Sequence, residues 1–322
     1  MKAVIFEQSG KAQDVLKIHN IEPPIAGQDQ VLIRVSRRPI HPADFLFIEG
    51  RYRIKPIFPQ VAGFDGVGTI TACGPGITDY HPGMRVAFRS PGAWAELAVA
   101  PVSRVYPVPA EISDAVACQF PLNPLTAWGL LEECTLAEGN RLLITAGRSV
   151  IARILTKLSQ RKRLKATLLV QEGMGYVAID TETGQTVSKG LSVEETLQGA
   201  IAEGRFHAVL DAVGGSATLA IIEALEHRGR LISYGLLDDS PITLYASTLL
   251  FKNITWQGFG IDGWLDNATQ GQLATMQKEL WGMLSEDPNL LPVIQCFSLS
   301  EIKEAIRVVH EMRQPGKVLL VR

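Results

Sequence analysis

The phenol of Tyr52 stands in a Gly50-Arg51-Tyr52 run, shortly before the turn-rich stretch Gly63-Phe64-Asp65-Gly66. An unperturbed phenol, with a pKa near ~10, is fully protonated at neutral pH. It can donate a hydrogen bond to an oxygen that gains negative charge and then deliver a proton to carbon. The plainer reading is a half-buried loop tyrosine that only packs. Asn123 and Thr126, in the run Asn123-Pro124-Leu125-Thr126-Ala127-Trp128, bring an amide and a hydroxyl to the start of a helical pattern. Such side chains either cap the helix or offer polar atoms to a ligand. Asp44, in His41-Pro42-Ala43-Asp44, is either a turn residue or a group that orients the surroundings of the tyrosine.

Other chemistries find little support. The six histidines (His19, His41, His81, His207, His227, His310) include no pair spaced three or four apart, so no helical metal motif is present. No Gly-x-Ser-x-Gly elbow points to a serine hydrolase. Cys73, Cys118, Cys134 and Cys296 are far apart, with no Cys-x-x-Cys pair. They read as buried free thiols in a reducing cytoplasm, neither disulfide frame nor zinc cage.

The elements that must hold these residues fall into two patterns. Up to about residue 115, short apolar alternations broken by Gly and Pro (residues 30–35, 67–70, 85–88) predict a mainly β, barrel-like domain. From Asn123 the period changes, and strands at 141–145, 166–170, 207–211 and 230–235 alternate with helical stretches, one of them at 217–227. That alternation predicts parallel pairing in a doubly wound sheet, with the apolar strands covered on both faces. Helical segments at 270–284 and 302–310 lead to a last strand at 317–321, a tail expected to return to the first domain.

A chain of 322 residues is long enough for two cores, and 46% hydrophobic with 20% charged residues is ordinary for a soluble globular protein. Net charge −2 gives no hint of nucleic acid or an anionic membrane as partner. No apolar run approaches the ~20 residues of a membrane span, and residues 1–6 read as a first strand rather than a signal peptide.

The turn after strand 141–145 reads Ala146-Gly147-Arg148-Ser149-Val150-Ile151-Ala152-Arg153. Dinucleotide folds place glycines there, which permit close approach of a pyrophosphate to the helix N-terminus. Only Gly147 is a glycine. A β-branched Val150 in strained backbone would cost ~1–3 kcal/mol, so another turn shape is expected. Arg148 and Arg153 either contact phosphate or face water.

Taken in order, His41-Pro42-Ala43-Asp44, Gly50-Arg51-Tyr52, residues 59–68, Gly92-Ala93-Trp94-Ala95-Glu96 and Asn123-Pro124 resemble a zinc-free branch of the medium-chain dehydrogenase/reductase family. The likeness spans nearly the whole chain. Phe64 stands where zinc-dependent members carry a histidine. Two quinone-reductase-like subgroups share these features. Asn123-Pro124 and the segment 251–259, followed by Trp264, are similar to the trans-2-enoyl-thioester reductases in particular.

The resemblance implies a GroES-like β-barrel catalytic domain (1–117 and 267–322) and a Rossmann-type dinucleotide-binding domain (118–266). It also implies NADPH as cofactor, no metal, a small-molecule substrate, a cytoplasmic location and a homodimer paired through the edge near residues 252–258. Catalytic roles are implied for Tyr52, Asn123 and Thr126, and substrate contact for Tyr52 and Trp264. Cofactor contact is implied for Asp44, Thr126, Gly147, Arg148, Ser149, Val150, Ile151, Gln171, Val213, Gly214, Tyr234, Gly235 and Phe259.

In that reading hydride adds to the β-carbon of an enoyl thioester, and Tyr52 stabilises or protonates the resulting enolate. A quinone reductase is the alternative. A third reading, from a different class, is a binding or assembly module with degraded cofactor binding. Its evidence is the glycine-poor turn and a second departure after residue 170. There Gln171-Glu172-Gly173-Met174-Gly175 runs almost directly into residues 176–180, where relatives carry a basic segment and a helix. The basic run 161–165 lies before the strand, either as a solvated helix end or as a phosphate contact.

Overall fold

The computed structural model describes residues 1–312 and 314–322. The chain divides into two compact units, Met1–Asn123 with Lys278–Arg322, and Pro124–Gln277. These divisions fall somewhat C-terminal of the expected 117/118 and 266/267.

In the first unit the strand Gln30–Pro39 is the organiser. Val31, Ile33 and Val35 alternate inward and are fully buried, as a period of two requires. This strand pairs antiparallel with Asp65–Cys73, Leu97–Pro101 and the returning tail Lys317–Val321. Asp65–Cys73 pairs in turn with Arg85–Arg89, placing Asp65 directly opposite Arg89. A smaller sheet joins Lys2–Phe6 to Lys17–Asn20 and Gln60–Val61. Phe6, Phe47, Phe64, Phe88 and Trp94 fill the shared core.

The second unit is built on a seven-stranded sheet. Its centre is Arg141–Ile144, flanked in parallel by Lys165–Glu172 and by Phe206–Asp211. Leu225–Ser233 and Thr255–Gly258 extend the parallel half. Leu142, Leu143, Ile144, Val209 and Leu210 are fully buried, as strands covered on both faces should be.

The other half departs from the expected alternation. Lys165–Glu172 turns through Gly173 directly into Gly175–Asp180, which pairs back antiparallel, followed by Thr186–Gly190. A β-hairpin thus occupies the edge where a crossover helix and parallel strand would follow. A turn this short cannot make a parallel connection, which needs a dozen or more residues.

One further element differs: the helix expected at 217–227 is a short Thr218–Ala224, and the next strand already begins at Leu225. Pairing of Leu225 with Phe206 overrides the helical period there. Among the described residues no helix is long and apolar enough to cross a membrane.

Candidate active site

The first unit gathers a buried ionic cluster around Tyr52. Helix Pro42–Ile48 starts with proline at its first position, and the Asp44 carboxylate accepts the His41 backbone N–H at 2.7 Å. Asp44, expected among the cofactor contacts, is buried in the first turn of this helix, where it closes a capping box with His41. Its other oxygen, Oδ1, has no hydrogen-bond partner. Burial first, and the Asp65 charge second, push the Asp44 carboxyl up to about 8. Lost hydration pulls the Lys317 ammonium down to about 8, against the attraction of Asp44 and Asp65. His41, 3.6 Å from Asp65, is held well below the usual imidazole range by burial.

Tyr52 lies at the edge of this cluster. Its ring packs on Phe64, with centroids 5.3 Å apart, and its hydroxyl accepts a hydrogen bond from Arg89 Nη2 at 3.3 Å. Phe64 is buried against Phe47, and the Arg89 guanidinium lies 5.1 Å from the Phe64 ring centre. Among the described residues no group of three or more His, Cys, Asp or Glu side chains could hold a metal ion. The four cysteines are free; Cys118 and Cys134 are buried, but Cys73 is only partly so and Cys296 is exposed, against the expectation of four buried thiols.

Helix Asn123–Cys134 carries Asn123 and Thr126 in its first turn. Both are buried, and Asn123 Nδ2 and Thr126 Oγ1 have no hydrogen-bond partner. Buried polar atoms are ordinarily satisfied, so these two are available to a polar ligand.

In the second unit, one carboxylate organises the loops at the C-terminal ends of the parallel strands. Asp211 accepts the Thr145 hydroxyl at 2.8 Å and the backbone N–H groups of Val213 and Gly214 at 3.0 Å each. Thr145 Oγ1 in turn accepts the Ala212 N–H at 2.9 Å. Gly214 and Gly215 both have positive φ, at 76° and 64°, and a Cβ at Gly235 would collide with the Ala212 carbonyl. Tyr234 is held by its N–H on the Asp211 carbonyl at 2.8 Å, and its hydroxyl is buried without a partner. Burial pushes that phenol upward.

Sequence reasoning named Val213, Gly214, Tyr234 and Gly235 but missed Thr145 and Asp211. An aspartate ending a strand three residues before a glycine was the available signal for an Asx turn.

Residues 145–149 join Arg141–Ile144 to the helix that follows. Ala146 is left-handed at φ 49°, and helix Val150–Arg161 begins at Val150 with ordinary helical backbone. Ser149 caps that helix by accepting the Ala152 N–H at 3.1 Å. Gly147 is closely backed by Val170 and Leu168, which explains why the one retained glycine is here.

Arg148 lies 3.4 Å from Glu172, which also faces Lys189 at 3.8 Å, with all three side chains largely exposed. Gln171 is exposed beside Glu172 on the same strand end. In the basic run, Lys162 and Arg163 pair with Glu132 and Glu138 at 2.7 and 3.1 Å, the solvated-end alternative. Phe259 and Trp264 close over Gly129 and line a cavity of about 460 Å³ with Glu133, Gln257 and Gln272.

Comparison with known proteins bears on both units. The alcohol dehydrogenase GroES-like domain matches residues 27–110, and the family described as zinc-binding dehydrogenase matches residues 176–320. The mitochondrial enoyl-[acyl-carrier-protein] reductase of Arabidopsis thaliana is 25% identical over 99% of this chain and 88% of its own length. That of Dictyostelium discoideum is 24% identical, over 99% and 94%.

The chain belongs to the medium-chain dehydrogenase/reductase family. Among solved structures of similar fold, a Bacillus thuringiensis protein named for NADPH:quinone reductase activity superimposes with a TM-score of 0.85 at 25% identity, covering 100% of this chain and 98% of the other. Escherichia coli quinone oxidoreductase, solved with NADPH, gives 0.84 at 18% identity with both chains fully covered. The GroES-like and Rossmann-type units are thus the family's two domains.

Proposed function

We propose that this dehydrogenase/reductase is a zinc-independent enzyme that uses NADPH to reduce the carbon–carbon double bond of an α,β-unsaturated acyl thioester or related enone. The observation that carries this reading is the Tyr52 phenol, whose oxygen accepts a hydrogen bond from Arg89 and whose own O–H is thereby left to donate. The full-length similarity to enoyl-thioester reductases supports it.

The residues present fit a dinucleotide unevenly. On the nicotinamide side, the unsatisfied Thr126 and Tyr234 hydroxyls and the Asn123 amide suit a polar ring substituent and a ribose. Val213, Gly214 and Gly235 bring bare backbone to the same strand ends, where ligands of open α/β sheets gather. Toward the phosphates, Gly147, Arg148, Ser149, Val150 and Ile151 form the turn and first helical residues, with Gln171 on the neighbouring strand end.

When bound, the reduced nicotinamide supplies a hydride. The protein's share is to stabilise the negative charge that hydride addition to the β-carbon leaves on the thioester oxygen. Tyr52 donates a hydrogen bond there and then a proton to the α-carbon. Asn123 and Thr126 orient the ligand. Trp264 and Phe259 supply the aromatic part of a cavity otherwise lined largely by polar side chains, and Trp264 is the proposed substrate contact there.

A quinone oxidoreductase is the second reading, favoured by the solved relatives named for that activity. Following NADPH consumption with a short enoyl thioester and with a quinone, side by side, separates the two. Tyr52→Phe should slow the first sharply and leave the second nearly untouched; equal loss on both would remove the enoyl reading. If neither NADPH nor NADH gives a saturable calorimetric signal, a binding or assembly module is what remains.

The enzyme is also proposed to be a homodimer. Leu236, Leu237, Tyr245, Leu250 and Phe251 are exposed near the edge strand Thr255–Gly258, an apolar area that a solitary chain would ordinarily cover. Light scattering would sink this by returning the mass of one chain at high concentration.

A further inference from the structure

Arg89 is the last residue of its strand, and the ladder fixes it opposite Asp65. Its guanidinium divides between two partners. Nη1 donates to both carboxylate oxygens of Asp65, at 2.9 and 2.8 Å, while Nη2 donates to the Tyr52 hydroxyl at 3.3 Å. Arg89 and Asp65 are both almost completely buried. A planar guanidinium anchored through one nitrogen still presents its other donors in the same plane, which a lysine ammonium cannot do. The face of the same cation rests on Phe64, and Phe64 in turn packs on the Tyr52 ring. The phenol is therefore oriented at both its ring and its oxygen.

Two chemical consequences follow. A phenol oxygen that accepts from a cation turns its own O–H elsewhere, toward a substrate oxygen. A permanent positive charge beside that oxygen also stabilises the phenolate left when the proton departs. Asp65 cannot take over as proton donor, since both its oxygens are engaged by Arg89. The other ionisable groups facing the cluster are His41 and Asp44 at the start of helix Pro42–Ile48, Lys317 on the returning strand, and Tyr106 and Cys118.

We propose that Arg89 is a positioning residue for Tyr52, aiming the phenolic O–H and holding the phenolate formed during enone reduction. This rests on the proposed function and assigns a new part of it. The step balances simply. Hydride adds to the β-carbon, and the double-bond electron pair moves into the enolate. A C–H bond then forms at the α-carbon as the Tyr52 O–H breaks, and the phenolate is reset by a proton from water.

Arg89→Gln alone would strand the buried Asp65 charge and threaten the fold. Two other variants avoid this: Arg89→Lys, which keeps the charge and loses the fork, and the double variant Asp65→Asn with Arg89→Gln, which neutralises the pair. The readouts are the Tyr52 contribution to the near-ultraviolet circular dichroism without cofactor or substrate, isolated by subtracting Tyr52→Phe in the same background, and the steady-state rates with an enone and with a quinone.

In the double variant the Tyr52 difference band should weaken and broaden as the phenol loses its fixed setting, with Arg89→Lys falling between it and the parent. Enone kcat should fall about tenfold or more in the double variant with KM little changed, while quinone turnover holds. An unchanged Tyr52 difference band in both variants, with the fold intact by far-ultraviolet circular dichroism, overturns the proposal. A weakened band together with enone turnover indifferent to Tyr52→Phe overturns the enone reading and leaves the Arg89–Tyr52 coupling standing.

Discussion

The two halves of the second unit's sheet have been kept to different degrees. On the parallel side, Asp211 ties three loop donors to one carboxylate, and Thr145 links two strand ends at 2.8 and 2.9 Å. On the other side, the expected crossover is replaced by a hairpin, and the ion pair between it and the turn after Arg141–Ile144, Arg148 with Glu172, is exposed. Buried, fully satisfied networks are rigid and costly to disturb, whereas exposed ion pairs contribute little. The difference teaches that the parallel side of such a sheet can keep its buried loop network while the other side is built as a hairpin.

The largest effect should come from Asp211→Ala. It leaves the Thr145 hydroxyl and two buried N–H groups without an acceptor, a loss of about 2–5 kcal/mol by urea unfolding. NADPH affinity should fall with it, about tenfold or more by calorimetry. Retained affinity would mean that the parallel side does not hold the cofactor.

Thr145→Val comes next. It removes one donor to Asp211 and the acceptor of Ala212, so a loss of about 1–2 kcal/mol in the same assay is expected. A neutral result would show the bridge to be incidental.

The smallest effects belong to the rebuilt side. Arg148→Ala or Glu172→Gln should change stability by no more than about 0.5 kcal/mol. Their NADPH affinities should move in opposite directions if Arg148 meets a phosphate, weakening for the first and tightening for the second. Identical affinities would leave Arg148 as the partner of Glu172 alone.

The contrast was partly legible beforehand. Strand–helix alternation announced the parallel half, and the brevity of Gln171-Glu172-Gly173-Met174-Gly175 announced a missing helix. That the chain would fold back as a hairpin depended on pairing between residues 167–172 and 175–180, which local spacing does not encode. Tyr52 was visible as a lone phenol beside a turn. Its Arg89 partner was not, because Arg89 meets Asp65 only through the register of two strands. His41 and Asp44 stand in one short run, but Lys317 is distant from them in sequence, so no motif could assemble the whole cluster. The strand start at Leu225 was lost to a helical period that tertiary pairing cut short.

The most direct test uses NADPH deuterated at the transferable position of the nicotinamide, with a short enoyl thioester in ordinary water. The account predicts a saturated product carrying deuterium at the β-carbon and solvent-derived hydrogen at the α-carbon. Intact substrate, or a product without deuterium at the β-carbon, would contradict it.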